Sequence, residues 1–349
     1  MRSREGLLLR LTTDTDLVGL GEISPLPVFD GTTLDRALSE LSRFAPELIG
    51  VSVERLHHEL TTSDAWGPRT RAVRCGLDVA VHDVVARQRG ISVATLLGGA
   101  VARSVLVNAT VAAVDCADAV NRARAAVADG FQCVKLKVGL AATLEDEIER
   151  VAAVREVIGH AVQLRLDANG AWDVHRAIAT IGALRELDLE LIEQPVPSQD
   201  VEGLAHVRRA VGVPIAADEA VTSIAQAQRI LDAGAADVLV VKPMVLGGLR
   251  PARQVVQHAR EAGRDVIVTT TVDTGVGVAA ALHLAATLPR PTRACGLATG
   301  PLLVGDLIGD RLAVEGGTMS ISPRPGLGVE VDPEQVLRFG SGIHGETGG

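Results

Sequence analysis

Five charged residues recur at nearly even intervals along the chain, and each ends or closely follows a short apolar run. They are Lys137, Asp167, Glu193, Asp218 and Lys242, separated by 30, 26, 25 and 24 residues. Short apolar runs are typical of buried parallel strands, where a charge is costly unless a partner or a metal compensates it. The interval suits one strand, its crossover helix and their loops. The spacing therefore predicts that the five charges share one rim of a (β/α) barrel, the rim that carries active sites in that fold.

Strand-like and amphipathic stretches alternate after residue 100. The strand-like runs begin near Val105, Val134, Val162, Leu189, Ile215, Val238, Val266 and Arg293. The amphipathic stretches cover 116–129, 144–157, 174–187, 200–210, 222–233, 249–262 and 275–288. Eight strands with seven intervening helices predict an α/β fold, a modified (β/α)7β TIM-like barrel over residues 101–311.

The segments that flank the barrel predict an α+β capping domain. Residues 1–100 contain two strand-like runs, Leu7–Leu11 and Leu17–Ile23, and then helical apolar spacing from Thr33 to about Gly99. The tail, residues 312–349, carries short strand-like runs at 312–315 and 329–331 and is expected to return to this cap.

Composition excludes several classes of function. The net charge of −9 offers no basic surface to a nucleic acid. Four dispersed cysteines without a CxxC pair fit a reducing compartment. We find neither a signal peptide nor an apolar stretch of membrane-spanning length. We therefore expect a cytoplasmic protein that acts on a small molecule without nucleic acid or membrane partners, and we leave homo-oligomer formation open.

The five charges suggest a specific chemistry. Mg²⁺ prefers oxygen ligands and keeps waters that a substrate carboxylate can displace, and Mn²⁺ can substitute for it. A carboxylate held by such an ion can lose its α-proton, because the cation stabilises the charge that develops. A neutral lysine can take that proton. Lys135 and Lys137 point to the same face of one strand, so each is expected to lower the pKa of the other.

Other interpretations were weighed for these residues. Any one of the charges alone would be read as a surface loop residue, a strand-fastening ion pair or a helix cap, and only the set of five in register favours a site. Gly247-Gly248 and Gly296…Gly300 are interpreted as turns, because no Gly-Lys-Ser/Thr follows them. None of the nine histidines lies at a predicted strand end.

Five motifs carry a resemblance to a known family. They are Lys-Leu-Lys (135–137), Arg-Leu-Asp-Ala-Asn (165–169), Ile-Glu-Gln-Pro (192–195), Ala-Asp-Glu (217–219) and Val-Lys-Pro (241–243). Together they resemble the enolase superfamily and, within it, the muconate-lactonizing subgroup, which uses a lysine on each side of its site. The likeness extends into 75–99. Mandelate-racemase-like members differ, because they need a histidine where strand seven here ends in Val268-Thr-Thr-Thr-Val-Asp273.

The resemblance implies roles for individual residues. Asp167, Glu193 and Asp218 match metal ligands for Mg²⁺. Lys137 matches the acid/base and Lys242 the opposing lysine. The resemblance further implies supporting positions for Lys135, Asn169 and Glu219.

Within this subgroup the candidates are o-succinylbenzoate synthase, N-acylamino-acid racemase, dipeptide epimerase and muconate cycloisomerase. Dipeptide epimerases hold the substrate ammonium with an Asp-x-Asp that is missing from the segment 295–303. Arg165, the hydroxyl-rich Thr269, Thr270 and Thr271, and the segment with Gly296, Leu297 and Thr299 resemble o-succinylbenzoate synthases, which implies a Mg²⁺-dependent dehydration. A non-catalytic barrel relative remains an alternative from another class.

Two expectations concern the amino-terminal region. The loop Ser24–Gly31 combines apolar side chains with a glycine, and we expect Leu26, Val28 or Phe29 to line the site. The alternative is a proline-rich connector. Family members carry a further strand before the Arg-Glu-Gly that begins at Arg4, so we expect either that the first strand of the cap is absent or that the true start of the chain lies upstream of Met1.

Overall fold

A computed structural model describes residues 3–62, 70–98, 101–289, 292–310 and 312–340. The strands are β1 Leu7–Thr12, β2 Val18–Ile23, β3 Ser104–Leu106, β4 Ala109–Val111, β5 Cys133–Lys137, β6 Gln163–Asp167, β7 Leu189–Glu193, β8 Ile215–Ala217, β9 Val238–Val241, β10 Asp265–Val268, β11 Val314–Glu315 and β12 Thr318–Ser320. The helices are α1 Pro27–Asp30, α2 Leu34–Phe44, α3 Val53–Thr62, α4 Arg71–Gln88, α5 Val93–Leu97, α6 Cys116–Ala128, α7 Leu144–Ile158, α8 Val174–Ala183, α9 Val201–Ala210, α10 Ile224–Asp232, α11 Pro243–Leu246, α12 Leu249–Glu261, α13 Gly275–Ala285 and α14 Pro333–Phe339. Short 3-10 turns lie at Ala45–Leu48, Arg185–Leu187 and Gly300–Leu302.

Strands β4 to β10 form one parallel sheet in sequential order. A short segment joins the two edges of the sheet. Cys295 forms a bridge with Val107, just before β4, and Gly296 forms a bridge with Thr269, just after β10. The predicted barrel is confirmed. The eighth strand, predicted from Arg293, is reduced to these two bridging residues.

The register of the sheet places the charged residues side by side. Lys137 on β5 is paired with Asp167 on β6, which is paired in turn with Glu193 on β7. Asp218 directly follows β8, and Lys242 directly follows β9. Because parallel strands end at the same edge of a sheet, all five charges lie on one rim.

Most barrel helices begin at a residue that caps its own helix. The side chains of Asp115, Thr143, Asp173, Asp200 and Ser223 each accept a hydrogen bond from a backbone N–H in the first turn of α6, α7, α8, α9 and α10. Such caps satisfy donors that the helix itself leaves unpaired. Local sequence therefore determines where these five helices start.

Helices α12 and α13 receive caps from the amino-terminal unit, and Asp306 adds a further cap at Gly275 N of α13. Asp78 on α4 accepts from Leu249 N at 2.6 Å. Glu22 on β2 accepts from Thr274 N and Gly277 N, both at 2.9 Å. The residues that precede these helices, Gly248 and Thr274, offer no side-chain cap. The carboxylates of Asp78 and Glu22 thus fasten the amino-terminal unit to the barrel through charge-assisted hydrogen bonds.

The amino-terminal unit is a two-stranded antiparallel sheet, β1 with β2, covered by α4. The backbones approach closely, since a Cβ on Gly21 would lie 2.0 Å from Gly76 O. The predicted domain limits at residues 100 and 311 lie outside the described residues.

The carboxyl-terminal tail contacts both units. Strand β12 pairs with β3, while Leu327 N donates to Asp83 on α4 at 2.7 Å. The predicted strand at 329–331 is only a bridge between Ile308 and Val331. In the ranges that the structure describes, no helix combines the length and the apolar character needed to cross a membrane.

His283 on α13 joins three parts of the fold. Its Nδ1 accepts from Ala94 N at 3.1 Å, and its Nε2 donates to Leu327 O at 3.0 Å. This arrangement requires the neutral imidazole, because a proton on Nδ1 would face another N–H. Burial lowers the pKa of His283 to about 4.

We predict that protonation of His283 weakens the fold between pH 6.5 and pH 4. The folded-state pKa lies below the unfolded value of 6.5, so the unfolded chain binds the proton more tightly and stability falls as pH falls through this window. The full difference amounts to about 3 kcal/mol. Urea unfolding at several pH values should show a shallower pH dependence for His283→Gln than for the parent. Equal slopes would contradict the assignment. His57 titrates in both proteins and cancels in the comparison.

Candidate active site

The five predicted charges form one buried network at the carboxyl ends of the barrel strands. The carboxyl-bearing residues Asp167, Glu193 and Asp218 are at most 4% exposed. The side chains of Lys135, Lys137 and Lys242 are between 11% and 26% exposed. The network is therefore open to small molecules only on the lysine side.

Lys135 and Lys137 contact the carboxylates of the two neighbouring strands. Lys135 Nζ lies 2.8 Å from Asp167 Oδ2 and 2.6 Å from Glu193 Oε1. Lys137 Nζ donates to the same Asp167 oxygen at 2.6 Å and to Asn169 Oδ1 at 2.8 Å. One Asp167 oxygen thus serves two ammonium groups, and this sharing holds the three strands in register.

Lys242 lies across the rim and is paired with Asp218. Its Nζ is 2.6 Å from Asp218 Oδ1 and 2.7 Å from Oδ2. The ring of Phe29 covers the same ammonium group, with its centroid 4.6 Å from Nζ. An aromatic face attracts a cation at this distance. The amino-terminal unit therefore contributes a side chain to the network.

The carboxylates do not share the available positive charge equally. Burial acts to raise the pKa of Asp167, but Lys135 and Lys137 overcome it and hold that pKa well below its ordinary value. Burial and the charge of Asp167 raise the pKa of Glu193 to about 8, against the opposing effect of Lys135. Four carboxylates, counting Glu219, face three ammonium groups. The raised pKa of Glu193 reflects this crowding of carboxyl groups, which a bound cation would relieve.

The predicted lowering of lysine pKa is wrong for Lys135 in this arrangement. Burial acts to lower its pKa, but Asp167, Glu193 and Asp218 raise it above its ordinary value. The pKa of Lys242 is raised in the same way, mainly by Asp218 and against burial. The carboxylates that contact Lys135 outweigh the repulsion expected from the neighbouring ammonium group.

Asn169, Glu219 and Gln194 support the network from behind. Asn169 Nδ2 donates to Glu219 Oε1 at 2.8 Å, as the predicted supporting role requires. Gln194 Oε1 accepts from Asp218 N at 2.9 Å and so positions the start of that loop. Asn169 and Gln194 have positive φ values of 45° and 38°, which only a well-determined environment sustains. Gln194 was part of the quoted Ile-Glu-Gln-Pro motif, but sequence reasoning gave it no role.

The donor set fits an oxygen-preferring divalent cation. Asp167, Glu193 and Asp218 come from three adjacent strands, and the nearby Glu219 Oε2 is buried without a hydrogen-bond partner. Among the described residues, however, no three His, Cys, Asp or Glu side chains converge closely enough to hold a metal as they stand. The carboxylate oxygens form ion pairs with the ammonium groups of the lysines instead. A bound cation would have to take these oxygens from the lysines.

The predicted hydroxyl residues lie together beside β10. Thr269 Oγ1 donates to Gly296 O at 2.7 Å, and the hydroxyls of Thr270 and Thr299 are 3.0 Å apart. A Cβ on Gly296 would lie 2.4 Å from Thr269 Oγ1, so only glycine fits there. Leu297 is fully buried.

Arg165 does not reach this rim. Its guanidinium donates to Glu190 at 2.6 and 3.2 Å and to Ala294 O at 2.7 Å, and the residue is 1% exposed. Arg293 adds a second ion pair to Glu190 at 2.7 Å. The expected contact of Arg165 with substrate is corrected to a structural role deeper in the barrel, because all three of its nitrogen atoms have protein partners.

Two of the three apolar loop candidates face the barrel. Leu26 and Phe29 line a cavity of about 10 Å³ together with Thr271 and Met244. Val28 is 79% exposed and points away. The loop contains the short helix α1.

One sequence signal was overlooked. The chain contains three lysines, and all three, Lys135, Lys137 and Lys242, lie in this network. The other residues in the Lys+Arg count are arginines. Reagents that modify lysine side chains, such as acetylating agents, are therefore selective probes of the site.

Comparison with known proteins agrees with this geometry. Residues 118–336 match the family described as enolase C-terminal domain-like. Residues 1–98 match the mandelate racemase / muconate lactonizing enzyme N-terminal domain.

Individual relatives have different activities. An o-succinylbenzoate synthase of Thermobifida fusca is 42% identical over 236 residues, 66% of this chain and 72% of that protein. Muconate cycloisomerase 1 of Rhodococcus opacus is 31% identical over 96% of this chain and 91% of that protein. The structure of the L-Ala-D/L-Glu epimerase from Bacillus subtilis in a substrate-liganded complex matches with a TM-score of 0.86 and 30% identity, covering 93% of this chain and 91% of that one. With both domain families matched and the lysine-flanked carboxylates in place, the chain belongs to the enolase superfamily and, within it, to the muconate-lactonizing subgroup.

Proposed function

We propose that this protein is an o-succinylbenzoate synthase, which dehydrates 2-succinyl-6-hydroxy-2,4-cyclohexadiene-1-carboxylate in menaquinone biosynthesis. The observation that carries the proposal is the segment Cys295–Gly300, which closes the barrel beside the threonine hydroxyls. It has no carboxylate to receive a substrate ammonium group. A substrate with carboxylate and succinyl groups and no free amine suits such a surface.

Asp167, Glu193 and Asp218 would hold Mg²⁺ in this proposal. When bound, the cation supplies positive charge that stabilises the negative charge developing on the substrate carboxylate. The lysines then lose their carboxylate partners, and this loss removes the influence that raises the pKa of Lys135 and Lys242.

Lys137 is the proposed acid and base. Its Nζ removes the α-proton, the ring hydroxyl leaves from the neighbouring carbon with its bonding electron pair, and the same Nζ returns the proton to form water. The ring gains its aromatic double bond, and the lysine ends in its starting state. Asn169, which accepts a hydrogen bond from Lys137 at 2.8 Å, orients the ammonium group for both transfers.

Lys242 remains cationic and faces the other side of the substrate. The ring of Phe29 covers its ammonium group at 4.6 Å, a contact that does not involve the proposed metal ligands. A fixed positive charge there stabilises the substrate's developing anion without moving a proton.

Epimerisation or racemisation is the second candidate. It is favoured by the presence of a lysine on each side, Lys137 and Lys242, each paired with a carboxylate at 2.6 Å. An epimerase or racemase would use both as bases, one for each stereoisomer. N-acylamino acids and dipeptides are the substrates that separate this candidate from the dehydratase, and solvent-deuterium exchange at their α-carbon measures it.

We predict that Asp218→Asn loses Mg²⁺ affinity by about 100-fold or more, since one anionic ligand is replaced by a neutral amide. Isothermal titration measures the change without substrate. Asp237→Asn is the matched control, because Asp237 pairs with Arg208 and Arg264 at the amino ends of the strands. Equal affinity of Asp218→Asn and the parent would remove this carboxylate from the metal site.

We predict that Lys137→Ala reduces turnover of the cyclohexadiene substrate by about 1,000-fold or more, the loss expected for a positioned base. The variant should also stop solvent-deuterium incorporation at the substrate α-carbon. Arg124→Ala, an exposed change on α6, serves as control. Continued exchange in Lys137→Ala would assign the base to another residue.

We predict that Phe29→Ala raises KM or lowers kcat by about tenfold while Mg²⁺ affinity stays at the parent value, because the ring covers Lys242 and not the carboxylates. Steady-state kinetics and metal titration on the same preparation check both parts. Val28→Ala is the matched control, since Val28 is exposed. Identical kinetics for Phe29→Ala and the parent would make the loop a simple connector.

A further inference from the structure

We propose that Arg4 is a positioning residue that holds the loop Ser24–Gly31 against the barrel and so keeps Phe29 over Lys242. The role in catalysis rests on the proposed function, whereas the mechanical role does not. None of the five motifs that carry the resemblance to the family includes Arg4.

Arg4 joins a loop of the amino-terminal unit to a loop of the barrel. Its Nη1 donates to Pro25 O at 2.7 Å and its Nη2 to Ser24 O at 2.5 Å. On the barrel side, Nε donates to Thr271 O at 3.2 Å and Nη2 to Thr271 Oγ1 at 3.1 Å. One planar guanidinium thus fixes the spacing of two loops, which a lysine with a single ammonium group cannot reproduce.

The Arg4 side chain is 5% exposed, yet among the residues that the structure describes no carboxylate lies within hydrogen-bond distance of it. Asp273 Oδ1 is 3.8 Å away. Burial and Glu22 raise the pKa of Asp273 to about 7, so its compensation of the Arg4 charge is incomplete near neutral pH. A buried cation that donates mainly to carbonyl oxygens, and not to a carboxylate, lowers the free energy of unfolding. That cost favours a role in holding geometry.

The barrel loop to which Arg4 donates hydrogen bonds has a strained backbone. Val272, between Thr271 and Asp273, has a φ of 63°, a conformation that β-branched residues rarely adopt. Thr271 Oγ1 also donates to Asp273 at 2.6 Å. Contacts on both neighbours therefore maintain a backbone conformation that would otherwise relax.

The two loops that Arg4 binds also contribute side chains next to the site. Pro25 precedes Leu26, and Leu26, Phe29 and Thr271 line the same small cavity. Phe29 in turn covers the ammonium group of Lys242. Only three residues lie between Pro25 and Phe29. Release of Ser24 and Pro25 is therefore transmitted to the ring over Lys242.

The competing interpretation is that Arg4 only fastens the amino-terminal unit to the barrel. Glu22 and Asp78 already do so by capping α13 and α12. Under that interpretation, loss of Arg4 lowers the unfolding temperature and leaves the loop and Lys242 as they are in the parent protein.

The test compares Arg4→Ala with the parent in two measurements that need no substrate. Hydrogen exchange should be about tenfold faster in 24–31 and unchanged in β1. Acetylation of the folded protein, followed by peptide mass spectrometry, should modify Lys242 about fivefold faster while Lys137 keeps its parent rate. Phe29→Ala is the positive control for Lys242 exposure. Arg10→Ala, on the exposed side of β1, is the matched negative control.

A second variant, Arg4→Lys, keeps the charge and serves if Arg4→Ala does not fold. It should give intermediate exchange and intermediate Lys242 labelling. With the substrate that the parent turns over, both variants should raise KM more than they lower kcat. The proposal is overturned if exchange and Lys242 labelling equal the parent values, or if the loop is released and KM does not change. Because labelling needs no turnover, failure of the dehydratase assignment is recognised separately.

Discussion

The sharing of Asp167 between Lys135 and Lys137 is the interaction on which the site depends. It exists because β5, β6 and β7 end in register, so that Lys137, Asp167 and Glu193 stand side by side. A shift of one residue would turn every second side chain to the opposite face of the sheet. Repulsion between like charges is strong in a buried site, and the folded state tolerates it only where opposite charges offset it. The rim is thus a site whose charge balance a divalent cation can change.

The amino-terminal unit is coupled to the same rim by polar contacts. Glu22 and Asp78 cap barrel helices that have no cap of their own, and Phe29 covers Lys242. Each contact is a hydrogen bond or cation–aromatic contact of defined direction, not general apolar packing. Placement of the unit over the strand ends is therefore specific, as expected for a part that closes a site over its substrate.

Sequence predicted the features that repeat. The βα period located the barrel strands, and alternation along β5 placed Lys135 with Lys137. Features that depend on contacts between residues far apart in the sequence could not be predicted from it. The eighth strand is reduced to the bridging residues Cys295 and Gly296. Strand alternation predicts the face on which Arg165 lies but not its depth in the barrel, so its pairing with Glu190 could not be predicted. Likewise Asp78 finds its partner 171 residues away.

The proposed divalent-cation site can be measured directly, because all three lysines of the sequence lie in this network. With lysine labelled with ¹³C at Cε, NMR should give three side-chain signals, from Lys135, Lys137 and Lys242. Mg²⁺ should shift these signals together and saturate at one equivalent, because a bound cation would take the carboxylate oxygens that the ammonium groups now contact. Signals that stay unchanged at saturating Mg²⁺ would contradict the proposed site.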